Sequence, residues 1–449
     1  MRSLGKAVKL KVTVENPTEL ISAEPNGGMA PGIWGSVAGQ SGPGLAALRV
    51  QKFAAWAQIE LARPAWNELL AQSASESIFL TQEWLRAWWS AYGESGQLTL
   101  LGCHADDGSL AGIAPFYLTE QRALGQRIRA LRLVGDGSGD SDNLDFIFSR
   151  GAELACTRAV LDWLGEHRAE WDLLEINVVP ANSAAAEALA GELARRGWRA
   201  VRRESPRLLL ALPEQWESYL ALLSKNMRAS IGSRMRKLEK RARVRLWRCE
   251  REEDLPRCLD LMFALHGKRW ESRGEAGSFG LAERRRFYDR MARQFLQRGW
   301  LDFCLLDVDD ATVAAEFGFR YGDTYSFLQG GFDPAYSSQS VGLVLKAMIL
   351  RELIRAGVKR YDFLGGEDPY KSRWGAETLA YRNLRCAPPR SRGARYLRIA
   401  DAAERSKAWL RRHIPEPAWT SLRTTYRRLR PRDAAPAESR PAEGDNSAE

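Results

Sequence analysis

Two short segments concentrate the residue types that chemistry needs. The first runs Gly330-Gly331-Phe332-Asp333-Pro334-Ala335-Tyr336-Ser337-Ser338-Gln339-Ser340-Val341-Gly342-Leu343-Val344. It leaves an expected strand and enters an expected helix, so backbone N–H groups and the positive end of the helix dipole converge where an anion can sit, and Gly342 allows close backbone approach. A phosphate cradle is one reading; an ordinary turn at Asp333-Pro334, with Gly342 easing helix packing, is the other. The second segment spans Tyr361 to Gly375, where a strand ends in Gly365-Gly366 and is followed by Glu367, Asp368, Tyr370, Lys371, Arg373 and Trp374. Such a mixture needs partners if it is buried, and open α/β sheets place sites at strand ends of this kind. A solvated turn with Trp374 plugging the core is the alternative. Glu316 stands out singly: a lone acid within the strand expected over Val313 to Phe319 is costly unless it is used or paired. A salt bridge or a solvent-facing position would satisfy it as well.

Other chemistries lose support. Gly135-Asp136-Gly137-Ser138-Gly139 is followed by an expected strand, Asn143 to Phe148, so the helix that would hold a pyrophosphate is missing and the run reads as a turn. There is no P-loop, no GxSxG elbow and no HExxH, which argues against kinases and hydrolases. The six cysteines form no CxxC pair and none of the four histidines stands at i, i+4 from another, so no metal site is expected.

The elements that must position these residues alternate. Thr81 caps an expected helix with Trp84, Leu85, Trp88 and Tyr92 at helical spacing and Gly93 as its stop. Leu98 to His104 and Leu110 to Leu118 read as a hairpin, Leu131 to Val134, Leu173 to Val178 and Leu208 to Leu212 as strands, and Glu153 to His167 and Ser183 to Arg196 as helices. The order returns as strands at Leu301 to Val308, Thr312 to Tyr321 and Thr324 to Gly330, a helix from Ser340 to Ala356, and a strand from Lys359 to Leu364. Asp106 to Gly112 lines up with Asp309 to Ala315, pointing to an internal duplication of one α/β unit.

Between the halves, Leu220, Leu223, Met227, Ile231, Met235 and Leu238 form an apolar stripe. Lys225, Arg228, Arg234, Arg236, Lys237, Lys240 and Arg241 make the rest basic: a solvated face, or a contact for a polyanion or phosphate-bearing substrate. The chain of 449 residues has 66 Lys plus Arg against 56 Asp plus Glu, a formal charge of +10 that favours anionic partners. The expected organisation is a leader over residues 1–50 with a short strand at Leu10 to Val14, an N-terminal unit over 51–213, a C-terminal unit over 214–388 with its basic helix at 216–241, a basic helical extension over 389–430, and a disordered tail over 431–449. No stretch has the length of a membrane span, so a cytoplasmic location with reduced thiols is expected.

The strings Phe79-Leu80-Thr81-Gln82-Glu83-Trp84-Leu85, Gly112-Ile113-Ala114-Pro115-Phe116-Tyr117, Gly331-Phe332-Asp333-Pro334-Ala335-Tyr336 and Asp362-Phe363-Leu364-Gly365-Gly366-Glu367-Asp368-Pro369-Tyr370-Lys371 resemble bacterial CelD-type members of the GNAT acyltransferase superfamily, over about residues 55–385. The resemblance implies an α/β fold of two tandem GNAT-like units, each a mixed, largely antiparallel sheet flanked by helices, as in the Fem-type aminoacyltransferases. Gln339-Ser340-Val341-Gly342-Leu343-Val344 is similar to the superfamily's CoA pyrophosphate loop but departs from it at Val344, whose side chain would crowd a phosphate. Tyr370-Lys371-Ser372-Arg373-Trp374-Gly375 resembles a Fem-type signature whose lysine lies near a substrate phosphate, which implies substrate contacts for Lys371, Arg373 and Trp374.

The resemblance implies an acyl-CoA N-acyltransferase, with acetyl-CoA as the expected donor and no metal. Its thioester carbonyl would be polarised by backbone N–H groups of a splayed strand near Phe327, Leu328 and Gln329, with Gln339, Ser340, Val341, Gly342 and Leu343 on the pyrophosphate. Glu316, Asp333 and Asp362 are candidate bases for the amine, Glu316 foremost, and Tyr370, with Tyr361 behind it, is the candidate acid for the departing thiolate. The acceptor is expected to be a small-molecule or sugar-linked amine of a cell-envelope, cellulose or exopolysaccharide precursor, with no sequence-specific nucleic acid. The basic C-terminal stretch would make peripheral contact with a membrane or with polysaccharide-synthesis machinery. The rivals are a Fem-like transferase using aminoacyl-tRNA, favoured by the basic helix, and a non-catalytic scaffold in polysaccharide synthesis.

Overall fold

The computed structural model describes residues 48–413 except 61, 62, 124, 273, 275, 276, 367 and 368. The expected strand at Leu10 to Val14, residues 1–47 of the leader, residues 414–430 of the extension, the tail, and Glu367 and Asp368 lie outside the described residues.

The N-terminal half runs β1 (Arg49–Phe53), α1 (Ala57–Glu60), α2 (Arg63–Gln72), α3 (Gln82–Tyr92), β2 (Gln97–His104), β3 (Leu110–Ala123), β4 (Gln126–Leu133), β5 (Ile147–Phe148), α4 (Glu153–Glu166), β6 (Leu173–Pro180), α5 (Ala184–Arg195) and β7 (Arg199–Ala211). The C-terminal half follows with α6 (Trp216–Leu222), α7 (Lys225–Arg241), β8 (Val244–Arg248), α8 (Leu255–Glu271), α9 (Ala282–Gln297), β9 (Leu301–Val308), β10 (Ala311–Tyr321), β11 (Thr324–Phe332), α10 (Val341–Arg355), β12 (Arg360–Gly365), α11 (Pro369–Ser372), β13 (Glu377–Ala387) and α12 (Arg392–His413).

Local chemistry explains the helix starts. The hydroxyls of Thr81, Ser183 and Ser224 accept from the backbone N–H of Trp84, Ala186 and Met227, satisfying donors that the first helical turn leaves open. Ser224 also divides the expected 216–241 helix: the chain turns extended at Leu223 and restarts as α7, so the apolar stripe belongs to two helices. Asn143 to Phe148 is a strand only at Ile147 and Phe148. Asn143 takes a left-handed backbone (φ 47°) and the Asp145 carboxylate accepts from the Phe146 N–H, so local bonds replace the ladder there.

Among the described residues all strands but β5 follow one another across a single sheet in the order β1-β2-β3-β4-β6-β13-β7-β12-β11-β10-β9-β8, and β5 pairs with β3. Each half contributes an antiparallel run that ends in a parallel pair, β4 with β6 and β11 with β12, each held over only three residue pairs. These are the two expected repeats of one α/β unit. Their last strands are exchanged: β7 of the first half lies against β12, and β13 of the second lies against β6. The exchanged strands pair with each other from Glu377 opposite Leu209 to Ala387 opposite Arg199. One sheet therefore joins both halves through backbone hydrogen bonds.

Aromatic packing adds to that joint. Trp84 on α3 is fully buried with its ring 5.1 Å from Phe287 on α9, edge to face, and 4.7 Å from Phe79. A buried tryptophan of this kind is worth about 3–5 kcal/mol against alanine. A second core lies around α10, whose Val344, Leu345, Ile349, Leu350 and Leu353 are buried with Phe363 and Trp374.

Candidate functional site

The parallel pair of the C-terminal half opens into a wedge. β11 and β12 are bonded at Thr324 with Arg360, Tyr325 with Tyr361 and Ser326 with Asp362, and their pairing ends there. On its other edge β11 shifts register against β10, so that Phe317 faces Gln329, Gly318 faces Phe327, and Leu328 is the extra residue of a bulge. A bulge bends its strand and re-aims the side chains beside it. β11 thus leaves β12 from Phe327 onward, and among the described residues the backbone there has no strand partner on that side. Gly331 is needed on this strand because a Cβ would run into the backbone of α8 at His266.

α10 enters at the mouth of the wedge. Ser340 precedes it with φ 56° and ψ 40° and gives no side-chain cap; its carbonyl accepts from the N–H groups of Leu343 and Val344, which leaves those of Val341 and Gly342 to face a ligand. Between this turn and the wedge lies a cleft of about 420 Å³ bordered by Phe327, Gly330, Phe332, Gly342, Tyr370 and Trp374. Ser340, Val341, Leu343 and Arg373 also border it, and Glu316 and Lys346 reach it from below. Val344 is buried in the core, away from the cleft, so the expected crowding of a phosphate does not arise.

At the base of the cleft sits a buried ion pair. Lys346 Nζ lies 2.6 Å from Glu316 Oε2, both side chains almost wholly buried. Glu316 Oε1 accepts from the hydroxyls of Tyr361 at 2.6 Å and Tyr325 at 3.1 Å. Lys346 Nζ also contacts the Tyr361 hydroxyl and lies 3.6 Å from the ring centre of Phe327, with the rings of Tyr361 and Phe363 at 4.7 and 5.3 Å. Burial pushes the lysine down to about 8, against the pull of Glu316. Burial, and then the charge of Glu316, raise the Tyr361 hydroxyl well above its ordinary value, which keeps its proton in place. Of this cluster, Lys346 is the group whose charge can change near pH 8. Trp374 is almost wholly buried in the core around α10, and its Nε1 has no hydrogen-bond partner among the described residues.

The remaining expected site residues divide. Phe327, Ser340, Val341, Gly342, Leu343, Tyr370, Arg373 and Trp374 come together with Glu316 around this cleft. Asp333 does not: it accepts from the Ala335 N–H as a cap and pairs with Lys268 at 2.6 Å, and this hydrogen bond with the lysine holds its carboxyl below the usual range. Asp362 alternates with Tyr361 and Phe363 along β12, so it points to the opposite face of the sheet. There it pairs with Arg207 at 2.6 Å and accepts from Asn143. Lys371 donates to the carbonyls of Phe363 at 3.1 Å and Gly365 at 2.7 Å, fastening the turn after β12. Leu328 packs into the core shared with α8, Gln329 engages His266, and Gln339 lines a separate small groove beside α7. Lys346 is the main residue that sequence reasoning missed. Its signal was a single cation inside the apolar run Val341 to Leu350, one turn after Gly342.

Comparisons with known proteins find a family match and several similar solved structures. Residues 225–372 match the family described as acetyltransferase (GNAT) domain. Among solved structures, FemX is similar at 11% identity with a TM-score of 0.53, covering 72% of this chain and 95% of its own. A conserved protein of unknown function from Bacteroides thetaiotaomicron is similar at 15% identity and TM-score 0.47, covering 72% and 96%. A tandem GNAT protein from the clavulanic acid biosynthesis pathway follows at 13% identity and TM-score 0.40, covering 76% and 98%. The curated proteins give no match. The parted parallel strand pair and the uncapped helix start at its mouth lie within the residues, 225–372, that match the acetyltransferase (GNAT) domain family.

Proposed function

We propose that the protein is an acyl-CoA-dependent N-acyltransferase that uses acetyl-CoA and acts on an amine carried by a small molecule or a sugar, such as a cell-envelope or exopolysaccharide precursor. The observation that carries this reading is the continuity of the cleft, which leads from the open N–H groups of α10 at Gly342 to the buried Glu316–Lys346 pair beside the parted strands. The N–H groups of Val341 and Gly342 would hold the diphosphate.

Bound acetyl-CoA supplies a thioester: transfer forms a C–N bond and breaks the C–S bond, one proton leaving the amine and one reaching the sulfur. The unpaired backbone of β11 beyond Ser326 is suited to polarise the carbonyl. Glu316, at the base of the cleft with its oxygens positioned by Lys346 and two tyrosine hydroxyls, would take up the amine proton, directly or through water. Tyr370 at the rim, or Lys346 with its lowered proton affinity, can supply the proton at sulfur. Calorimetric titration of the full chain with acetyl-CoA tests the proposal. Saturable binding is expected, and no binding at millimolar ligand would defeat it.

A second reading is favoured by the exposed basic face of α7: transfer from an aminoacyl-tRNA. Filter binding of tRNA at two salt concentrations separates the two, because a polyanion contact weakens steeply with salt. Absence of tRNA binding removes the second reading.

A further inference from the structure

α7 runs beside the entrance of α10 and presents two different surfaces to it. Near its start, Met227 borders the cleft that leads to Glu316. Two turns on, Arg234, Lys237 and Arg241 are exposed and, with Leu238, face Ser338 and Gln339 across a groove of about 100 Å³. Arg234 Nη1 donates to the Ser338 carbonyl at 3.3 Å, which fixes the helix against the turn that precedes α10. The three cations follow the i, i+3, i+7 spacing of one helix face, while Ile231, Met235 and Leu238 bury the face beside it. Among the described residues no carboxylate lies within ion-pair distance of Arg234, Lys237 or Arg241. The arrangement is a row of unneutralised positive charge two residues upstream of the helix start that faces the cleft.

We infer that this groove is the subsite for the 3′-phosphate on the adenosine end of CoA. The inference rests on the acyl-CoA reading above and extends it to the far end of the ligand. The order of surfaces is the support. Lys346 and Glu316 lie at the deep end, Gly342 one helical turn further out, and Ser338 and Gln339 beyond it against the basic row. A ligand with its reactive group at one end, a diphosphate in the middle and a further phosphate at the other end matches that sequence of buried ion pair, open helix N–H groups and cationic row. Two arginines and a lysine can surround a phosphate dianion with charge-assisted hydrogen bonds from several directions.

The test compares CoA with 3′-dephospho-CoA, titrated calorimetrically into the full chain and into the Lys237→Ala/Arg241→Ala double variant at low ionic strength. Both substitutions fall on exposed positions, so the fold should tolerate them. Wild type is expected to bind CoA about tenfold more tightly than 3′-dephospho-CoA, as charged contacts at a solvated surface allow. In the double variant CoA should weaken to the level of 3′-dephospho-CoA, whose own affinity stays within about twofold. Equal affinity of wild type for the two ligands, or a preference that survives in the double variant, overturns the subsite and leaves the acyl-CoA reading intact. Binding of neither ligand overturns both. Retention of bulk tRNA by wild type but not by the variant, with no preference between the two coenzymes, would reassign the row to nucleic acid.

Discussion

The buried Glu316–Lys346 pair makes the sharpest prediction about how this site is held together. Lys346→Met keeps the length of the side chain and its contact with the rings of Phe327, Tyr361 and Phe363, but removes the cation that balances Glu316. The carboxylate is then left in a site with almost no solvent, held by two tyrosine hydroxyls on Oε1 alone. Removing one partner of a buried ion pair costs about 3–5 kcal/mol, most of it the desolvation of the charge left behind. Glu316→Gln in the same background removes that charge while its amide oxygen still accepts from Tyr325 and Tyr361. The double variant should therefore lie within about 1–2 kcal/mol of wild type, more stable than Lys346→Met alone, with a coupling of at least about 2 kcal/mol. Urea denaturation of the three variants at pH 7 measures this, read from midpoints at unchanged slope. A loss under about 1 kcal/mol for Lys346→Met, or a double variant whose loss equals the sum of the singles, would refute the account.

Three further outcomes are expected. Gly342→Asp should lower acetyl-CoA affinity at least 100-fold in calorimetry while the thermal midpoint shifts little, because a Cβ there meets only the Phe332 ring at 3.5 Å and the carboxylate projects into the cleft. If Lys346 supplies the proton at sulfur, kcat with an active amine should fall as pH rises through about 8, where the charged lysine becomes neutral; a rate still climbing at pH 10 would take Lys346 out of proton transfer. Burial raises the Asp145 carboxyl to about 6, so its folded form binds a proton more readily than its unfolded one, and the stability it contributes below the unfolded value is lost as pH rises through about 6. Asp145→Asn should accordingly stabilise the fold by about 1–3 kcal/mol at pH 7, with the gain shrinking toward pH 4 in denaturation curves.

The sequence made the entrance of the site legible and hid its base. Gly330 to Val344 shows a strand, a turn and a helix start in consecutive residues, so the cradle at α10 follows from local pattern. Glu316 was visible because an acid inside an apolar strand needs a reason. The same logic applies to Lys346 in its apolar helix, but the lysine's partner comes from another strand, and helix spacing alone does not say which face meets it. Asp362 shows the limit from the other side: period-two alternation separates it from Tyr361 and Phe363, but which set faces α10 depends on the sheet's placement. Asp333 reads in the sequence as a candidate base, and the structure makes it the cap for the Ala335 N–H and the partner of Lys268. The pairing of β7 with β13 leaves no trace in local periodicity, because the partners lie far apart in the chain.

That exchange has a consequence for how the chain is made. Synthesis delivers β6 well before its neighbour: Pro180 finds Tyr381 only after about 200 more residues have left the ribosome. Until then the first half carries a bare edge on β6, and such edges invite wrong pairing with other chains. The first half cannot finish folding as an independent body, and a nascent product that stops short of β13 is expected to be prone to aggregation. Long-range closure of this kind also slows folding, so both units should reach their final packing together, late, when the last strand slots between them.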